Sequence, residues 1–154
     1  MHQSYRFAII YFTIFGTLLL LSGAVLFFSK LGISYKSIST FYLGSAAQFS
    51  QSKSSYGLLE TALPHLGAMG LFIFVTAHFM LFTDKKQKQK SIAPAIALFI
   101  AALLDIASGF MIIQGFSIFV WVKIVAFMSL QLLGLYLLFI LFQNTLKSIA
   151  HYRL

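Results

Sequence analysis

The 154-residue chain is 60% hydrophobic and 9% charged, where soluble domains carry about a quarter charged residues. It has no cysteine, which excludes disulfides, thiolate metal sites, iron–sulfur clusters and thioether-linked haem. A net charge of +8 would point to nucleic acid in a soluble protein, but here the basic residues flank long uncharged runs. There they set topology and meet anionic lipid, and no nucleic-acid partner is expected.

After a short polar start containing His2 and Arg6, Phe7 to Phe28 is an uncharged apolar run of 22 residues, and a spanning helix needs about 20. A cleaved signal peptide is the rival reading, because Ser22-Gly23-Ala24 imitates a cleavage site. The apolar run is long for a signal peptide and continues through Val25–Phe28, so a retained span is expected.

Residues 29–61 form the longest connection, rich in serine, with Lys30, Lys36 and Lys53. Phe41-Tyr42-Leu43 in its middle predicts either a short helix on the bilayer surface or a lid. The second span is expected at 62–82, with Thr61 as its N-cap, Pro64 in its first turn and Thr83-Asp84 closing it. A basic loop, Lys85–Lys90, leads to a third span at 92–113, with Pro94 near its start. Gln114–Ser117 makes a tight turn, and a fourth span runs over 118–142, with Lys123 one turn in, close to the surface, and Gln131 at mid-depth. Residues 143–154 read as a polar tail with Lys147, His151 and Arg153. Ser-Gly pairs recur late in the first and third spans (Leu18–Phe28, Leu103–Ile113), either as an old hairpin duplication or as sites of close helix approach.

The pattern predicts an all-α, single-domain, four-helix transmembrane bundle. An N-terminus inside places seven Lys/Arg on the inner face and four on the outer one, so both ends are expected in the cytoplasm of a bacterial inner membrane.

Ionisable groups at membrane depth need a reason. His65 and His78 lie thirteen residues apart on the second span, about 19.5 Å of rise and about 220° of rotation. One metal ion or one haem cannot bind both. A b-type haem nevertheless needs an imidazole, an apolar pocket and glycines where the porphyrin nears the backbone. His65 or His78, with Gly67, Gly70 and Gly134 and eighteen phenylalanines, offers these. Terminal histidines, methionines or His65 of a second copy would supply the other ligand. The alternatives are a histidine that hydrogen-bonds a neighbouring helix and one that binds another metal. Glu60, five residues before His65, could orient it, share a metal ion with it, shuttle protons, or act as a favourable charge near the helix N-terminus.

Asp105 lies near mid-span, where a charged aspartate costs on the order of 3 kcal/mol. It must face the bundle, be protonated or pair; Ser108 and Gln131 are candidate partners, and Lys123 is a third that its position places too near the surface. It reads either as part of a proton or ion path with Gln131 or as a polar clamp between helices, and the clamp reading predicts that Asp105→Asn is tolerated.

The stretch P-H-L-G-A-M-G-L-F-I-F-V-T-A-H-F-M-L-F (Pro64–Phe82) resembles the histidine-bearing helix of small bacterial cytochrome b-type membrane subunits. The resemblance implies haem b and electron exchange with quinone. The fourth span, Val120–Tyr136, departs from that family in lacking histidine. The chain is also similar to four-span bacterial membrane proteins with a Glu-x-x-x-x-His entry to the second span. The leading expectation is a non-enzymatic electron-transfer or quinone-associated subunit, in a homodimer or a larger membrane complex. The alternatives are a cofactor-free accessory subunit and a small proton- or ion-coupled carrier centred on Asp105. No catalytic residues are expected, since paired intramembrane carboxylates and glycine-rich phosphate loops are lacking.

Overall fold

The computed structural model describes residues 3–46, 49–83 and 85–150. Within them the chain forms five helices: α1 (Gln3–Lys30), α2 (Tyr35–Leu43), α3 (Ser55–Met80), α4 (Lys85–Ile113) and α5 (Phe119–Ala150). Of these, α1, α3, α4 and α5 are long and apolar enough to cross a membrane. The fold is the expected four-helix transmembrane bundle. With four spans, both termini lie at the same end.

The period of each helix selects its inward face. On α1, Ile9, Thr13, Gly16, Leu20 and Phe27 are buried, at steps of three, four or seven. The opposite stripe, Phe7, Tyr11, Ile14, Leu18, Leu21 and Val25, is equally apolar and exposed. A helix apolar on both faces suits protein on one side and lipid on the other. On α4 the inward stripe is Leu98, Ala101, Ala102, Asp105, Ser108, Gly109 and Ile112. On α5 it includes Val120, Lys123, Phe127, Leu130, Leu137 and Leu141. The small residues of α4 bring it close to α5, its main packing partner. α5 also packs on α1, and α4 on α3. Stacking of Phe12 on Phe72 closes the ring between α1 and α3.

Several boundaries differ from the expected ones. α3 starts at Ser55 because Ser54 caps it, its hydroxyl accepting from the Gly57 N–H at 3.1 Å. Thr61 is not the cap; its hydroxyl donates to the Leu58 carbonyl within the helix at 3.0 Å. Pro64 therefore sits in the third turn and leaves the Glu60 carbonyl without its helical N–H. Likewise the basic run 85–90 is the start of α4 rather than a loop, and Pro94 falls inside that helix. The expected polar tail is helical as far as Ala150. His2, Asp84, His151 and Arg153 lie outside the described residues.

The bundle has two apolar clusters. One, around Leu20, Phe72, Leu98, Leu130 and Leu138, fills the half nearer the termini. The other, around Phe27, Ile38, Tyr42, Ile112, Val120 and Phe127, fills the opposite end. α2 completes that second cluster. Ser34 caps it, and Ile38 and Tyr42, four apart, point into the bundle against α4 and α5. Gly44 ends α2 at φ +78°, where a Cβ would lie 2.5 Å from the Ser50 carbonyl oxygen, so only glycine fits this turn.

Candidate functional site

The Asp105 carboxylate and the Lys123 ammonium meet at the α4–α5 seam, 2.9 Å apart (Oδ1 to Nζ). Both side chains are nearly buried, at 6% and 10% exposure. Asp105 lies eight residues before the end of α4 and Lys123 four after the start of α5. At 1.5 Å per residue the two Cα positions differ by about 6 Å in depth, which the lysine stem spans. Lys123 thus starts close to the surface and reaches inward to its partner.

The ammonium also donates to the main-chain oxygen of Asp105 at 2.7 Å, and the Ser108 hydroxyl donates to that same oxygen at 2.8 Å. The contact with Oδ1 is a charge contact whose angles fall short of a hydrogen bond. Oδ1 is therefore buried with its hydrogen-bonding capacity unfilled among the described residues. The other carboxylate oxygen, Oδ2, lies 3.9 Å from Nε2 of His65. That is too long for a direct hydrogen bond and matches a bridging water or a small rotation. The His65 side chain is 49% exposed, so the imidazole stands between the buried carboxylate and the outside of the bundle.

Tyr42 covers the cluster from α2. A Cβ on Gly109 would lie 3.2 Å from its ring and 3.3 Å from its hydroxyl, so the ring rests on bare α4 backbone. Burial pushes the Tyr42 phenol above its usual range; Lys123 pulls it down by charge and hydrogen bonding, and the Asp105 charge pushes it up. The phenol stays neutral at physiological pH.

The other expected site residues lie apart from this cluster. Gln131 is eight residues along α5 from Lys123, about 12 Å deeper, and its amide nitrogen lies 3.6 Å from where a Cβ of Gly23 on α1 would be. It faces α1 and is not a neighbour of Lys123. His78 is exposed near the far end of α3 among the rings of Phe74, Phe79 and Phe82. Glu60 is exposed, five residues before His65. Among the described residues no three His, Asp or Glu side chains converge as metal ligands would.

The fit of a haem can be read from the glycines. Gly67 and Gly70 are exposed, and a Cβ added at either would have nothing within 4 Å. Gly134, by contrast, has no room, since Leu20 packs 2.9 Å from where its Cβ would be. These glycines frame no porphyrin pocket among the described residues, and the two imidazoles stand thirteen residues apart, His65 ten residues into α3 and His78 two before its end. Among the described residues of one chain, no haem pocket forms at these glycines.

Sequence reasoning places Lys123 too near the surface to reach Asp105, which the inward reach of its stem corrects, and gives Tyr42 no place in the site. The signal for Lys123 is its position on the Val120–Phe127–Leu130 stripe, where only an inward residue falls.

Searches of curated proteins and of solved structures returned no match. A family model for a transmembrane helical domain, Aq_1264_TM, matches residues 32–151, covering α2 to α5 and with them every member of the cluster. The chain belongs to this family of transmembrane helical domains.

Proposed function

We propose that the protein is a small proton carrier whose intramembrane site is Asp105, held by Lys123 and reached through His65. The observation that carries this reading is the buried Asp105–Lys123 ion pair with a half-exposed imidazole 3.9 Å from its second carboxylate oxygen, Oδ2. Ionisable side chains buried within a membrane are rare and mark proton relays and ion paths. Imidazole is the side chain that exchanges protons near neutral pH. A proton passed from His65 Nε2 to Asp105 Oδ2 neutralises the carboxylate. Lys123 then loses its charge partner and keeps only main-chain hydrogen bonding, so the α4–α5 seam is free to rearrange. The apolar cluster around Phe72, Leu98 and Leu130 separates the site from the terminal end. A dry plug on one side suits a carrier that changes shape rather than an open channel.

Proteoliposomes carrying an internal pH dye test this under an imposed membrane potential. The wild type should acidify the lumen several-fold faster than protein-free vesicles, and Asp105→Asn/Lys123→Met, which removes both charges together, should return the rate to that of empty vesicles. Equal rates for wild type and empty vesicles would overturn the reading.

A second reading is a static clamp in a cofactor-free accessory subunit. The 2.7 Å bond from Lys123 to the Asp105 main chain favours it, since that bond ties α5 to α4 whatever the carboxylate does. Under it the double variant and the wild type behave alike in vesicles.

A further inference from the structure

A groove of about 450 Å³ opens where α1 ends and α2 begins. Lys30 from the last turn of α1, Lys36 from the first turn of α2 and Lys53 from the segment before α3 line it, and among the described residues no carboxylate does. Lys53 is held against the groove wall, its ammonium 5.0 Å from the centre of the Phe41 ring. Ser34 and Ser37, also in the lining, exchange hydrogen bonds at 3.0 Å and fix the first turn of α2. The N-terminal end of that helix, which favours an anion, therefore borders the same groove. Three ammonium groups around one groove repel one another unless an anion sits among them.

The neighbouring aromatic residues give the groove's depth. The Tyr35 ring, next to the cap of α2, lies 6.0 Å from the Trp121 ring on α5, and both side chains are exposed. Phe116 and Ile118 are exposed at the nearby turn. Exposed tryptophan and tyrosine at one level mark the headgroup layer, where the abundant anion is a phosphate ester.

We propose that this groove binds the phosphate of an anionic phospholipid headgroup. A zwitterionic headgroup fits less well, because its own cation would meet three lysines and no carboxylate. The chemistry recognised is a phosphate oxyanion, so free inorganic phosphate is the competing source.

Trp121 is the chain's single tryptophan, and its ring lies 6.0 Å from that of Tyr35, whose chain neighbours Ser34 and Lys36 line the groove, which makes it the reporter. The full-length protein in phosphatidylcholine nanodiscs is doped with brominated phosphatidylglycerol or with brominated phosphatidylcholine. The brominated phosphatidylglycerol should quench Trp121 fluorescence several-fold more strongly. Lys30→Gln/Lys36→Gln/Lys53→Gln should bring the two lipids level, while Lys85→Gln/Lys86→Gln/Lys88→Gln on α4 should keep the preference. Lys36→Glu alone, at an exposed position, should weaken it as well. Equal quenching in the wild type would overturn the proposal, as would loss of the preference in the α4 variant, which would reduce it to general surface charge. Erasure of the preference by millimolar inorganic phosphate would assign the groove to free phosphate and overturn the lipid assignment.

Discussion

At the scale of single residues, the pairing of Asp105 with Lys123 changes what substitutions should do. Asp105→Asn is not the neutral replacement that a hydrogen-bonded clamp would allow, because it leaves the Lys123 ammonium buried without a counter-charge. Removing one partner of a buried pair costs about 3–5 kcal/mol, so Lys123→Ala and Asp105→Asn should each destabilise the protein by roughly that much. Asp105→Asn/Lys123→Met should recover most of the loss, which unfolding curves in mixed detergent micelles will measure. Nearly additive losses in the double variant would mean that the pair does not exist in the folded protein. The inward face of Asp105 is legible in the sequence, since Leu98, Ala101, Asp105, Ser108 and Ile112 follow one helical stripe. Its partner is not. The choice among Ser108, Gln131 and Lys123 depends on the depth offset between two helices, which the sequence states only through the length of the turn.

At the scale of the helix, the glycines divide into two kinds. A Cβ on Gly16 would lie 2.9 Å from the Phe72 ring and 3.2 Å from Leu138, where α1 meets α3 and α5. Gly16→Val should therefore overpack that junction and cost about 1–3 kcal/mol. Gly70→Ala meets open space and should leave stability unchanged or slightly raised, because alanine favours the helix. Thermal denaturation monitored by retained helicity separates the two, and a large loss for Gly70→Ala would show that a second molecule covers that face. The two kinds of glycine look alike in the sequence. Helix ends are hidden for a related reason. Ser54 and Thr61 are both acceptable caps by residue type, and the apolar window that defines a span stops at the hydrocarbon while the helix continues past it into polar sequence. Hence 85–90 and 143–150 are helical although neither is apolar.

At the scale of the molecule, four apolar runs of about 20 residues suffice to predict the bundle, because in lipid the backbone must satisfy its hydrogen bonds within each helix. The charge asymmetry adds an orientation: seven Lys/Arg flank the end that carries the termini and four the end that carries α2. A periplasm-dependent reporter fused after Leu154 should stay silent, and activity there would reverse the topology. In that orientation the α2 end, with the lysine groove and the Tyr42 cover, faces outward, and the proposed carrier would load His65 from that side.

The central claim is that Asp105 changes protonation inside the folded protein. The chain has three acidic residues, Glu60, Asp84 and Asp105, which makes pH-difference infrared spectroscopy of the reconstituted protein the most direct test. On acidification the wild type should show, reversibly, the carbonyl stretch of a protonated carboxyl free of strong hydrogen bonds, in keeping with the unfilled Oδ1. Asp105→Asn/Lys123→Met should lack that band, and His65→Ala should delay its appearance. A wild-type spectrum in which only water-exposed carboxyls respond, unchanged in the double variant, would contradict the account.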